Sequence, residues 1–161
     1  MNFTRRVLIA DVRVDFDVSC AKAYDYLVDP AHRAQWQSSL RRVDSLTQVG
    51  ERPGDVGSSW VDITMVPFVR PAMEVVENTP GIRWTEIGRW GPVDAELILE
   101  FEEQTAQSAV VRAQAHLTVP IVAAPGIVGL KVLAPLGLRS DLSRAATILG
   151  NRTRAHGKEG P

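Results

Sequence analysis

The chain has 161 residues, of which 45% are apolar and 23% are charged, a size and balance typical of one globular domain and not of a disordered segment. Eighteen basic and nineteen acidic residues leave a formal net charge of −1, so the chain has no basic excess with which to bind nucleic acid. Cys20 is the only cysteine, which excludes a disulfide framework and a cluster of metal-binding thiolates.

The N-terminal segment, MNFTRRVLIADVRVDFDV, becomes charged before any apolar run reaches the length of a signal peptide. We therefore expect a cytoplasmic protein in a reducing compartment. The sequence does not specify an oligomeric state.

A strand followed by two short helices is predicted near the N-terminus. Apolar and charged residues alternate from Asp11 to Val18, the period of a strand with one solvated face. Ser19 is a suitable N-cap for a short helix over Cys20–Val28. Asp29 and Pro30 are a second start signal, because proline fits the first turn of a helix.

Six further strands are predicted from residue 40 onward. They lie near Arg42–Gln48, Ser58–Val66, Ala72–Asn78, Ile82–Arg89, Val93–Glu103 and Ala109–Val119. The last two alternate most regularly, which indicates an antiparallel sheet with one solvated face. On the apolar face we place Leu97, Leu99 and Phe101 of one strand and Ala113, Ala115 and Leu117 of the other.

The end of the chain is predicted to be helical. Leu138, Leu142, Ala145 and Leu149 are spaced by four, three and four residues and form one apolar stripe. Pro125 can begin the helix, and Pro135 should kink or interrupt it. Residues 151–161 are polar and aperiodic, so we expect a single domain over residues 1–150 followed by a disordered tail.

This order of elements predicts an α+β fold. A curved, seven-stranded antiparallel sheet needs a cover on its apolar face, and only the C-terminal helix is long enough to lie across the concave side. The two short helices follow the first strand.

Several segments in this order resemble the SRPBCC superfamily, the START-like or helix-grip proteins. The segment AYDYLVDP at residues 23–30, followed by Trp36, resembles one family motif, and Val56-Gly57-Ser58 resembles its glycine step. EVVENTP at residues 74–80 resembles a family strand and turn, and residues 138–150 resemble its closing helix. The resemblance covers roughly residues 10–150 and implies a helix-grip fold of the branch that includes polyketide cyclases and lipid-transfer domains.

The segment Val119–Leu138 has twenty residues and a single internal charge, Lys131. Three prolines and three glycines argue against a membrane-spanning helix, so no stable membrane insertion is expected. We interpret this segment as an apolar cover, with Ile127, Leu130 and Leu133 lying over the sheet. Small residues on both sides should leave a pocket of ~300–1,000 Å³ beneath it. The predicted ligand-binding residues are Trp84, Leu97, Leu99, Phe101, Ala113, Ala115, Leu117, Ile127, Leu130 and Leu138.

No catalytic constellation is evident. Glu86 shares a face of its strand with Trp84 and Trp90; if that face is inward, desolvation would raise the Glu86 pKa, although we favour the outward orientation. Glu74 and Asp62 are the next candidates for an acid or base. His116 opposes the apolar positions of its strand, and no histidines share a metal-ligand spacing, so neither a metal nor another cofactor is expected.

Three function hypotheses remain open. The first is a carrier or sensor that binds a hydrophobic small molecule, lipid- or polyketide-like, between the sheet and the C-terminal helix. The second, which the resemblance implies, is a cyclase or dehydratase of the polyketide-cyclase type that uses a pocket acid or base. The third is a protein-interaction module with an open apolar groove.

Overall fold

A computed structural model describes residues 3–122 and 127–157. Strand β1 spans Thr4–Phe16, and helix α1 (Cys20–Val28) is followed by a 3-10 turn (Pro30–His32) and helix α2 (Arg33–Trp36). The remaining strands are β2 (Leu40–Thr47), β3 (Ser59–Thr64), β4 (Ala72–Thr79), β5 (Arg83–Trp90), β6 (Val93–Thr105) and β7 (Ser108–Pro120). Helix α3 spans Ile127–His156.

The strands form one seven-stranded antiparallel sheet in the order β1-β7-β6-β5-β4-β3-β2. β1 therefore lies beside the last strand, and every other strand lies beside its neighbour in sequence. This confirms the predicted α+β helix-grip architecture. None of the helices in the described ranges combines the length and apolar character that a membrane-spanning helix needs.

Local signals begin the two short helices as predicted. The Ser19 hydroxyl accepts a hydrogen bond from the backbone N–H of Lys22 at 3.4 Å. A carboxylate oxygen of Asp29 accepts one from the backbone N–H of Ala31 at 2.9 Å, and Pro30 occupies the first position of the 3-10 turn. Each side chain satisfies a donor that the start of a helix leaves without an intrahelical partner.

The core lies between the concave face of the sheet and the helices. α3 contributes Leu142, Ala145 and Leu149, three of the four residues of the predicted stripe. Leu138, the fourth, is half-buried and packs against this core. The burial of this stripe positions the C-terminal half of α3 on the sheet.

Helix α3 differs from the sequence prediction in three respects. It continues through Pro135 without interruption, although the proline nitrogen cannot donate the i−4 hydrogen bond. It also continues six residues beyond Gly150 to His156, so the predicted tail begins too early; residues 158–161 lie outside the described residues. Finally, Leu130 and Leu133 are 39% and 65% exposed, and they do not form the predicted cover.

Candidate functional site

Inward-facing residues of β6 and β7 become more accessible from Leu99 to Ala95 and from Ala113 to Leu117. Trp84, Leu99 and Ala113 lie side by side in one row and are almost completely buried. Two residues along each strand, Leu97 and Ala115 are half-buried. We call the Trp84–Leu99–Ala113 row the closed end of the concave face.

The next row of inward-facing residues, Ala95 and Leu117, is more accessible to solvent. Leu117 is half-buried and its partner Ala95 is exposed, although both face inward. We call the region of Ala95, Leu97, Ala115 and Leu117 the open end. These four residues of the open end are all apolar. The open end lies beside the start of α3: Val7 is the β1 neighbour of Leu117, and Val7 lines a surface depression together with Ile127.

The open end is uncovered because the N-terminal half of α3 does not lie on it. Ile127 is buried, but the next helical turns expose Val128, Val132 and Leu136 to solvent. Across the sheet, Gly88 has no room for a side chain, since a Cβ there would lie 2.6 Å from the sulfur of Met73. Met73 thus fills the space on the β4 side, and the free apolar surface is that of β6 and β7.

A buried ion cluster lies at the boundary between the two ends. Arg33 of α2 donates to Glu86 of β5 at 2.6 Å and to Asp62 of β3 at 2.9 Å. All three residues are at most 6% exposed. The indole N–H of Trp60 donates to the other carboxylate oxygen of Asp62 at 2.9 Å, and the Arg33 guanidinium lies 5.0 Å from the centroid of the Trp60 ring. We refer to Arg33, Asp62 and Glu86 as the ion cluster.

The ion cluster has one guanidinium and two carboxyl groups, so it has a net charge of −1 when both carboxyl groups are ionised. Burial raises the pKa of Glu86, Arg33 opposes that increase, and the charge of Asp62 adds to it. Burial disfavours the charged form of Arg33, but Glu86 and Asp62 outweigh it and raise the Arg33 pKa. Burial and the neighbouring Asp62 therefore favour the protonated form of Glu86, whereas Arg33 favours its ionised form.

Glu86 faces inward, so the favoured outward orientation was wrong. The physical reason is Arg33, which compensates the buried carboxylates from another element and was not among the predicted site residues. One signal could have identified it: Arg33 lies three residues before Trp36 in a short helix, so the two share a face, and both are buried.

The predicted ligand-binding residues divide between the two ends of the concave face. Leu97, Ala115 and Leu117 lie at the open end. At the closed end, Trp84 donates its indole N–H to the carbonyl of Gly54 at 2.9 Å. Its polar atom is therefore satisfied within the core, where the ring is buried. Leu99, Phe101 and Ala113 belong to the same packed cluster. Ile127, Leu130 and Leu138 lie on α3, where Ile127 is buried, Leu130 is exposed and Leu138 packs against the core.

The outer face of the sheet holds ion pairs and no candidate site. His116 lies beside Glu96, with 3.5 Å between the imidazole Nδ1 and the carboxylate, and burial lowers the His116 pKa. Glu74 pairs with Arg89 at the surface. Among residues 3–122 and 127–157, no three His, Cys, Asp or Glu side chains come together in a way that could bind a metal ion.

A separate cavity of about 670 Å³ lies between α1, the loop at residues 52–53 and the C-terminal half of α3. Tyr24, Tyr26 and Leu149 are among its lining residues. It contains none of the predicted ligand-binding residues, and the packed closed end separates it from the open end of the concave face.

Comparison of the fold with solved structures gives many matches. A START superfamily protein from Mycobacterium smegmatis matches with a TM-score of 0.70 and 13% identity, over 89% of this chain and 99% of that one. The di-domain ARO/CYC StfQ of the steffimycin biosynthetic pathway matches with a TM-score of 0.71 and 12% identity, over 94% of this chain and 52% of that one. Norcoclaurine synthase from Thalictrum flavum matches with a TM-score of 0.60 and 14% identity, over 91% of this chain and 94% of that one.

These matches establish the START-like helix-grip fold and leave the ligand open, because one fold hosts many functions. No protein-family profile matches the sequence. No curated protein matches it either.

Proposed function

We propose that the protein binds a hydrophobic small molecule, lipid- or polyketide-like, at the open end of the concave face. The observation that carries the proposal is that inward-facing Ala95 is exposed and Leu97, Ala115 and Leu117 are half-buried, whereas Leu99 and Ala113 on the same face are fully packed. A concave apolar surface of this kind is typical of small-molecule sites. An apolar ligand would remove that surface from water, at ~25 cal/mol per Å² buried.

The ion cluster supplies the polar part of the proposed site. Glu86 is the β5 neighbour of Leu97, so its buried carboxyl group lies beside the proposed ligand surface. Two buried donors, the Nε of Arg33 and the indole N–H of Trp36, have no acceptor among the described residues. Buried donors in native proteins are usually satisfied, so these two groups have unused hydrogen-bonding capacity in the core.

The solved structures support this proposal at the level of the fold. The START superfamily protein and the di-domain ARO/CYC StfQ share the architecture that forms the concave face. We retain the cytoplasm as the proposed location, in agreement with the free thiol of Cys20.

One observation favours a second candidate function, a reaction of the cyclase or dehydratase type. Burial raises the pKa of Glu86, whose carboxylate lies 2.6 Å from the cationic guanidinium of Arg33. A group of this kind can donate a proton to a leaving hydroxyl or remove one from carbon, provided that the substrate lies within hydrogen-bond distance. Binding is the primary proposal, because it requires only the surface already described.

The uncharged dye N-phenyl-1-naphthylamine tests the primary proposal. We expect saturable binding with a rise in fluorescence, and loss of that binding in Ala115→Phe, whose ring would fill the open end. Gln114→Phe is the matched control, because the same ring would then lie on the outer face of β7. Unchanged dye binding by a folded Ala115→Phe variant would contradict the proposed site.

A further inference from the structure

The cavity between α1 and α3, here the α1–α3 groove, has the features of a second binding site. It lies at the far side of the closed end, and its volume of about 670 Å³ is within the range of sites for small organic molecules. Its base consists of the buried side chains of Tyr24, Tyr26, Val28 and Leu149. This base offers aromatic and aliphatic carbon to a ligand.

Arg152 is held in position at one wall of the groove, and it forms no ion pair with any residue in the ranges 3–122 and 127–157. Its guanidinium lies 5.4 Å from the centroid of the Tyr26 ring and donates to the side-chain oxygen of Gln35 at 2.9 Å. The Tyr26 hydroxyl donates to the same oxygen at 3.1 Å, and the His32 ring stacks on Tyr26 with 4.7 Å between centroids. A guanidinium fixed by neutral groups keeps its charge available to an anion, and little entropy is lost when it binds one.

Two more cations line the same groove. Lys22 lies on α1 and Arg52 on the opposite loop, and within the described ranges neither forms an ion pair. Two carboxylates, Asp25 and Asp29, also line the groove. One carboxylate oxygen of Asp29 accepts a hydrogen bond from the backbone N–H of Ala31 and so faces the 3-10 turn.

We propose that the α1–α3 groove binds a small organic anion with a flat apolar body, such as an aromatic carboxylate. The apolar body would lie against Tyr26 and Leu149. The anionic group would accept hydrogen bonds from Arg152, whose fork of donors matches a carboxylate. This site is independent of the proposed function, because it shares no residue with the open end or with the ion cluster.

Titration of the full chain with 1-naphthoate, followed by amide NMR shifts, tests the inference. We expect saturable shifts in residues 22–29 and 149–156. Arg152→Ala should weaken binding by at least about tenfold, the value of one charge-assisted hydrogen bond. The uncharged analogue 1-naphthalenemethanol should bind about tenfold more weakly than naphthoate for the same reason.

Arg154→Ala is the matched control, because Arg154 lies on the same helix but lines a different surface. It should change the affinity by less than about twofold, since screening weakens the effect of an exposed charge outside the site. Ala115→Phe should leave naphthoate binding unchanged, which separates this site from the concave face. If Arg152→Ala unfolds the protein, Arg52→Ala in the exposed loop serves instead. Absence of saturable binding, equal effects of Arg152→Ala and Arg154→Ala, or shifts confined to the concave face would overturn the inference.

Discussion

The two ends of the concave face have the same strand periodicity but different roles. Ala113 and Ala115 are two residues apart on one face of β7, yet Ala113 is inaccessible and Ala115 is half-buried. The difference comes from α3. Its C-terminal half has an apolar inner side and a polar outer side, whereas its N-terminal half leaves the apolar side chains of Val128, Val132 and Leu136 exposed to solvent. Strand alternation therefore identifies which residues face inward, and the covering helix decides which of them remain accessible.

The largest expected effect concerns the ion cluster, at the boundary between the two ends. Arg33→Met leaves Asp62 and Glu86 buried without a cation and should cost ~3–5 kcal/mol of unfolding free energy. Arg41→Met is the control, because Arg41 is exposed and should change stability by less than ~0.5 kcal/mol. Urea melts of the two variants measure both values. A similarly small loss for Arg33→Met would show that the cluster is solvated.

The two halves of α3 can be compared directly by truncating one leucine in each. Leu142 is 0% exposed and Leu136 is 65% exposed. Leu142→Ala should cost ~2–5 kcal/mol in denaturant melts, and Leu136→Ala should cost less than ~0.5 kcal/mol. Equal losses would mean that the N-terminal half of α3 is packed as tightly as the C-terminal half.

Phenylalanine substitutions measure the free space at each end. Ala113→Phe forces a ring into packed core and should destabilise the protein by ~1–3 kcal/mol or more. Ala115→Phe has open surface beside it, so its melting temperature should remain within a few degrees of the parent, roughly the shift that corresponds to less than 1 kcal/mol. We expect Ala113→Phe to melt at a lower temperature than Ala115→Phe. The reverse order would contradict the assignment of Ala113 to the closed end and Ala115 to the open end.

The smallest expected effect is a pH dependence. Because the Glu86 pKa is raised in the folded state, the native protein binds this proton more tightly than the unfolded chain does. Stability from this group is therefore lost as pH rises from the ordinary glutamate range through the folded pKa. Relative to Glu86→Gln, the parent should become less stable with rising pH across that window.

Glu77→Gln provides the control of opposite sign. Hydrogen bonds from Thr85 and Arg83 lower the Glu77 pKa, so its contribution is present above the unfolded pKa and is lost as pH falls through the folded value. Denaturant melts at a series of pH values compare both variants. Parallel pH profiles for the parent and Glu86→Gln would show that Glu86 titrates normally.

The sequence predicts most of the fold because its signals are local. Alternation in β6 and β7, the Ser19 cap and the Leu142 stripe each depend on residues close together in the chain. β1 was predicted from Asp11 and begins at Thr4. The missed part contains an irregularity in the pairing with β7 between Leu8 and Ala10, which breaks the alternation.

The candidate site was less predictable because it depends on contacts between distant elements. Glu86 faces inward beside Arg33, which lies 53 residues earlier in the chain and donates a hydrogen bond to it. Leu130 and Leu133 were assigned to a cover, but a helical segment with apolar residues on several sides does not specify which side meets the sheet. The α1–α3 groove joins residues of α1 to the end of α3, a pairing that no local pattern contains.

The most direct test of the account is to locate bound N-phenyl-1-naphthylamine by intermolecular NOEs to methyl groups. We expect NOEs from the dye to Ala95, Leu97, Ala115 and Leu117, and none to the Ala113 methyl, which is 0% exposed. NOEs to Val28 and Leu149 alone would place the apolar ligand in the α1–α3 groove and would contradict the proposal that the open end of the concave face is the binding site.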